Sequence, residues 1–177
     1  MDAPLRLFAL AYTVRERRVI VTTPADWRKM KQLRFGDSPE LSSRLVAQVI
    51  AGVKTATCSA ASEVLETCVG EQQVVLSGGG VPVAVIGTLT LEVLPLADVT
   101  PAQAALEGDL SHSYWRNAHT DYFTREGACA PAMQVIFETF RMVKTLDAAS
   151  AAHPNEHVQA ERAQAHAAGY TALGEVA

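Results

Sequence analysis

A short, one-sided helix bounded by its own start and stop signals constrains this chain more than any other feature. Asp37 or Ser38 is placed to accept hydrogen bonds from the free N–H groups of a first helical turn, and Pro39 suits the first helical position. Leu41, Leu45, Val46, Val49 and Ile50 then recur at i, i+4, i+5, i+8 and i+9, a single apolar stripe on a helix over about 39–51. Gly52 stands where a left-handed residue ends such a helix. Thr55 to Ser59 reads as a strand, with Thr55, Thr57 and Ser59 on one face and Ala56 and Cys58 on the other. Lys54 can cooperate with Thr57 only from the turn ahead of that strand, because strict alternation would point the two apart.

The rest of the chain has to cover the stripe. Leu5 to Tyr12 and Arg18 to Thr23 look strand-like, Ala25 to Arg34 suggests a short basic helix or turn, and Phe35-Gly36 reads as a strand end. Gln72 to Leu76 and Pro82 to Leu94 read as strands joined by Ser77-Gly78-Gly79-Gly80. The β-branched run after those glycines makes them a hairpin turn; a phosphate-binding loop needs a helix there. Pro101 to Leu106 and Ser111 to Arg125 look helical, and Met133 to Lys144 closes as a strand. Strands in the middle with helices between them indicate an α+β fold on a mixed, barrel-like sheet.

Composition sets limits on function. Hydrophobic residues make up 49% of the 177, enough for one ordinary core, yet no apolar run reaches membrane-spanning length. The first residues carry Asp2 and Arg6 and no secretory pattern, so a cytoplasmic protein is expected, without membrane partners. Cys58, Cys68 and Cys129 are odd in number and lack CxxC spacing, which argues against a disulfide framework, a disulfide-linked partner or a thiolate metal site. No metal or other cofactor is expected. A net charge of -4 gives no support to strong nonspecific nucleic-acid binding. Charge is nonetheless uneven: residues 1–54 hold ten Lys/Arg and five Asp/Glu, and residues 55–177 hold five and fourteen. Arg15, Arg17, Arg18, Arg28, Lys29, Lys31 and Arg34 either form a basic face or are simply a solvated surface.

Few constellations could carry chemistry. The string His153-Pro154-Asn155-Glu156-His157 imitates a zinc-protease motif, but Pro154 breaks the helix that must present both imidazoles. His112 and His119 lie seven apart on the helix of Tyr114, Trp115, Tyr122 and Phe123. That face either packs on the sheet or offers a stacking surface for a base, edged by Arg116 and His119. No GxSxG elbow supports a serine triad. What remains is Lys54, Thr57 and the acidic turn Glu107-Gly108-Asp109.

Taken together, FGDSPELSSRL…GVKTATCS, VGEQQVVLSGGGVPVAVIGTLTLEVLPLADV, EGDLSHSYWRNAHTDYFTREG and VIFETFRMV resemble the ASCH domain family, which includes small stand-alone bacterial proteins. The resemblance implies a PUA-like β-barrel over about 33–145; outside it lie an N-terminal extension over 1–32 and a tail over 146–177 whose Ala-rich composition reads as helical or mobile. It further implies RNA or a modified nucleoside as partner. One branch of the family removes the acetyl group of acetylated cytidine with a lysine, a threonine and a glutamate, which fall on Lys54, Thr57 and Glu107. Thr55, Ser59, Tyr114, Arg116 and His119 are then candidates for substrate binding. The alternatives are a noncatalytic RNA-binding module, with Lys54 on a phosphate, and a ribonuclease in which His119 or Tyr114 assists Lys54. Ser62 and Val64 stand where an aromatic pair is usual, Gly87 where a basic residue is common and Gly127 where a cysteine is, and the missing aromatics and charge weaken a case for tight oligonucleotide binding.

In the hydrolase reading Thr57 attacks the amide carbonyl and needs a base. A lysine serves as base only when neutral, and its ammonium ordinarily loses its proton near pH ~10.4. Lys54 is therefore expected to be the base if Glu107 lies beyond ~6 Å. It is expected to be a charged oxyanion stabiliser if Glu107 is close, with Glu107 then taking the proton.

Overall fold

The computed structural model describes residues 26–61, 67–109, 111–130 and 132–147, together with residues 159, 162, 163, 166 and 167, which are helical. The strands expected at Leu5–Tyr12 and Arg18–Thr23, the loop residues Ser62 and Val64 and the His153–His157 string lie outside the described residues. Eight elements follow in order: β1 (Lys31–Leu33), α1 (Pro39–Ile50), β2 (Ala56–Ala60), β3 (Gln72–Leu76), β4 (Pro82–Pro95), α2 (Pro101–Leu106), α3 (His112–Arg125) and β5 (Gln134–Thr145). The basic stretch before Arg34 is a 3-10 turn over Trp27–Lys29 followed by the edge strand β1.

The local signals act as their chemistry requires. Ser38 caps α1 by accepting from the Leu41 N–H at 3.2 Å, and Pro39 opens the helix. Gly52 follows with φ +72°, a left-handed conformation that a Cβ disfavours. Thr100 and Gln103 cap α2 reciprocally, each side chain meeting the other's backbone N–H.

The five strands form one mixed sheet in the order β1-β3-β4-β5-β2, with β1 parallel to β3 and every other pair antiparallel. Val46 and Val49 of α1 are buried against Phe35, Val75, Val83, Ala84, Ile86 and Phe140, with Leu45 half-buried at the margin. A second core joins Trp115 and Phe123 of α3 to Ala104, Ala56, Ala60, Val135 and Phe137. The long β4–β5 ladder shifts register near Val85/Ile86 and again between Thr88 and Thr90, and such irregularities bend strands.

The expected barrel is not closed. Among the described residues no ladder joins the edge strands β1 and β2. Residues 32–34 from the β1 side and residues 57–59 of β2 instead line a common cleft, and that space is where closure would have to occur.

Candidate active site

The cleft has a volume of about 680 Å³ and a charged floor. The floor comes from two chain reversals tied together. After α1, the Gln48 carbonyl accepts from both the Val53 and Lys54 N–H groups, at 2.9 and 3.1 Å. Thr55 then donates its N–H to the Leu106 carbonyl at 2.7 Å and accepts from the Phe140 N–H at 2.8 Å. These bonds set Lys54, in the turn after α1, beside Glu107, the residue after α2. Lys54 thus lies ahead of β2, in the turn that cooperation with Thr57 requires.

Lys54 Nζ donates to Glu107 Oε2 at 2.9 Å, and both side chains are almost wholly buried, at 4% and 3% exposure. Glu107 Oε1 accepts from Trp115 Nε1 at 2.9 Å and faces His119 Nε2 at 3.5 Å. Gly108 lets the chain turn away immediately. Its φ is +85°, and a Cβ there would collide with the Gln48 side chain. Trp115 lies flat against His119, ring centres 4.3 Å apart, and the Phe35 ring stands 5.4 Å from the Lys54 ammonium. Trp115 and Phe123 are fully buried, so on that face of α3 the packing reading holds, while Tyr114, His119 and Tyr122 line the cleft.

The charges reinforce one another. Burial by itself pushes the Glu107 carboxyl up, but the Lys54 ammonium, with the hydrogen bond and charge of His119, outweighs it and holds the carboxyl well below the usual carboxylate range. His119 is the reciprocal case. Burial disfavours its imidazolium, yet the hydrogen bond and charge of Glu107 leave its pKa raised. Its Nδ1 lies 2.9 Å from the Trp115 carbonyl, which fixes that nitrogen as a donor. Cys58 also reaches the floor, where burial and then the Glu107 charge push its thiol far up, so it is no thiolate.

Cys58, Glu107 and His119 could in principle converge on an ion, since their ligand atoms lie within 4.8 Å of one another. The donor set does not fit one. The Lys54 ammonium already occupies one Glu107 oxygen and the Trp115 indole the other, so a divalent cation would have to displace a donor and sit beside the ammonium charge.

Of the residues singled out in the sequence, Lys54, Thr57, Ser59, Glu107, Tyr114 and His119 all line this cleft. Thr55 and Arg116 do not. Thr55 precedes β2, which begins at Ala56, so strand alternation does not govern it, and its hydroxyl is directed at the Leu106 carbonyl at 3.4 Å. Arg116 points toward the α2 side, where it donates to the Ala97 carbonyl at 3.0 Å. Sequence reasoning missed the Trp115 indole as a ligand of Glu107, although its i, i+4 relation to His119 puts both on one face of α3. It also missed Glu138, a charged residue alternating with Ile136 and Phe140 along a buried strand and 7% exposed in the cleft wall.

The sequence profile of the ASCH domain matches residues 31–144. The chain belongs to the ASCH domain family. Among solved structures, protein EF3133 from Enterococcus faecalis V583 is 31% identical and superposes with a TM-score of 0.60, over 66% of this chain and 82% of that one. An ASCH domain from Lactobacillus crispatus JV V101 is 24% identical with a TM-score of 0.60, over 63% and 78% of the two chains, a likeness of fold. No curated protein matches the sequence. Both floor residues of this ASCH domain, Lys54 and Glu107, fall inside the matched region. Among its described residues no helix is long and apolar enough to cross a membrane.

Proposed function

We propose that this ASCH domain protein is an amidohydrolase acting on a small acylated nucleoside, with acetylated cytidine as the substrate class. The observation that carries the reading is the buried Lys54–Glu107 pair at the base of the cleft that Thr57 also lines. A cleft of about 680 Å³ falls in the range of small-molecule sites, roughly 300–1,000 Å³. Its aromatic lining, Phe35, Tyr114 and Tyr122, suits a flat heterocycle.

The roles follow from the electrostatics. Thr57 is the nucleophile, and Lys54, the cation of a buried pair, stabilises the oxyanion that forms on the acyl oxygen. Glu107 holds that cation in place. The expectation that a nearby Glu107 would itself take the proton fails on chemistry. A carboxylate already served by Lys54, Trp115 and His119 is a very weak base. Cys58, kept as a thiol, does not compete as nucleophile.

A noncatalytic RNA-binding module is the second reading, and Arg34 and Arg44 in the cleft lining are what favour it. Asp109 and Asp121 line the same cleft, so a continuous basic track for a phosphate backbone is missing there. A ribonuclease is less well supported. His119 is committed to the Trp115 carbonyl and to Glu107, which leaves no neutral ring nitrogen to accept a proton from a 2′-hydroxyl.

The test is to incubate the purified full chain with N4-acetylcytidine and follow cytidine and acetate by chromatography. Stoichiometric appearance of both supports the hydrolase. No release, together with RNA binding that weakens steeply with salt, would replace it with the binding module.

A further inference from the structure

The hydrolase reading leaves one requirement unmet: something must take the proton from Thr57, and the Glu107 carboxylate is too weak a base to do it. Of the other carboxylates lining the cleft, Asp109, Asp121 and Glu138, it is Glu138 that the sheet register sets opposite Thr57. Thr57 and Glu138 are register partners across the antiparallel β2–β5 pair, flanked by the partners Ser59 and Ile136, so both side chains rise from the same face of the sheet. Directly opposed residues place their Cβ atoms roughly 4.5–5.5 Å apart, within reach of a direct or one-water hydrogen bond for these two side chains. Glu138 Oε1 accepts from Thr88 Oγ1 at 2.6 Å, and the Thr88 hydroxyl lies 3.0 Å from that of Thr67. One carboxylate oxygen is therefore fixed from behind, which orients the other.

We propose that Glu138 is the general base of this site, taking the Thr57 hydroxyl proton as the oxygen attacks and returning it to the leaving nitrogen. The inference rests on the hydrolase reading. In acylation the Thr57 Oγ–H proton moves to Glu138 as the Oγ–C bond forms, and the carbonyl π pair becomes an oxyanion beside Lys54. Collapse of that intermediate breaks the C–N4 bond, and Glu138 delivers the proton to N4, freeing cytidine and leaving an acetyl ester on Thr57. Water then attacks the ester, Glu138 removing its proton and passing it to the Thr57 oxygen as acetate departs. One water is consumed, and enzyme and carboxylate return to their starting state.

The environments of the two carboxylates fit this division. Glu107 is surrounded by donors. Glu138 is pushed up by burial, brought partly back by the Thr88 hydrogen bond and raised again by the charge of Glu71. Other charged groups of the cleft are Arg34 beside β1, Arg44 on α1, Lys54, Glu107 and Asp109 in the floor turns, and His119, Asp121 and Arg125 on α3.

The experiment measures kcat, KM and their pH profiles for acetate release by the full chain and by E138Q, T88V and E71Q. Wild-type kcat should rise with pH along a limb set by Glu138. E138Q should lose that limb and roughly 10²–10⁴-fold in kcat, with KM within about threefold. T88V should move the limb to higher pH, because the hydrogen bond it removes favours the carboxylate. E71Q should move it lower. A merely structural role for Glu138 predicts neither displacement. Retention of kcat and of the limb in E138Q would overturn the assignment while leaving the hydrolase standing. An inactive wild-type protein would overturn the hydrolase and this assignment with it. If E138Q fails to fold, the opposed shifts in T88V and E71Q decide alone, and a limb unmoved in both refutes the proposal.

Discussion

Replacing Glu107 with Gln tests the floor of the cleft most directly. The substitution preserves volume and keeps Oε1 to accept from the Trp115 indole, but it turns an amide NH₂ toward the Lys54 ammonium. An ion pair with side chains 4% and 3% exposed becomes an unpaired buried cation facing a donor. Removing one partner of a buried pair costs about 3–5 kcal/mol, a large share of the ~5–15 kcal/mol that holds an ordinary domain folded. For a domain of this size that corresponds to a drop in Tm on the order of 10–20 °C. Lys54→Met should cost less, since Trp115 and His119 still serve the remaining carboxylate. The double variant Lys54→Met/Glu107→Gln should recover much of the loss, because neither charge is then stranded. The pH dependence has a definite sign. Glu107, with its folded pKa depressed, contributes stability above its unfolded pKa of ~4.3 and loses it as pH falls toward the folded value. His119, with its folded pKa raised, contributes fully below ~6.5 and loses that contribution as pH rises through the folded value. The stability gap between wild type and E107Q should therefore be widest between about pH 4.5 and 6.5 and narrow on both sides. Urea unfolding followed by circular dichroism from pH 3 to 9 measures it. A penalty under ~1 kcal/mol at pH 6 with an unchanged m-value, or a gap flat across that range, would refute the reasoning.

Three further outcomes are expected. Gly108→Ala should cost more in Tm than Gly52→Ala although φ is positive at both, since only at Gly108 would the new Cβ strike a neighbour, the Gln48 side chain; equal losses would show that Gln48 simply moves aside. Thr57→Val should abolish acetate release with ligand affinity largely intact while Thr57→Ser keeps part of it, and Lys54→Arg, which stays charged, should keep some turnover; turnover wholly lost in Lys54→Arg with binding intact would make the amine a base instead. Glu138→Gln should be more stable than wild type at pH 8 by thermal melt. A carboxyl whose folded pKa is raised weakens the fold as pH climbs through it, so the advantage should vanish below ~4.3.

How much of this was legible depended on how local the cause was. The cap, the first proline, the stripe and the glycine stop of α1 are interactions within fifteen residues, and the helix came out at Pro39–Ile50. The turn position of Lys54 followed from Gly52 and the parity of the next strand. The strand start at Ala56 was not legible, because it is set by the bonds from Thr55 to Leu106 and Phe140, partners some fifty and eighty-five residues away. Arg116 illustrates the same limit. A helix face can be read from spacing, but whether a long side chain at its edge turns toward the cleft or toward Ala97 depends on where α2 packs. The open sheet has this origin too, since a pattern of alternating strands carries no count of how far they must wrap to meet.

Glu138 shows what the sequence withheld and how the structure supplies it. Within Val135–Phe140 it is the one charged residue, with Thr139 beside it and apolar residues otherwise, and burying it unpaired would be costly. The bulged ladder resolves that by bringing Thr88 of β4 to its carboxylate, while the β2–β5 register sets Thr57 opposite it. The same cleft thus holds one carboxylate crowded with donors and another that, among the described residues, accepts from the Thr88 hydroxyl. A site with both can separate holding a cation from moving a proton, which a lone Lys–Glu pair cannot, because each partner quenches the other's acid–base chemistry. On the hydrolase proposal, that separation, more than the presence of Lys54, Thr57 and Glu107, is what would make amide hydrolysis chemically complete. It also explains why the stability effects of the two glutamates should run in opposite directions: Glu107→Gln weakens the fold, whereas Glu138→Gln strengthens it above neutral pH.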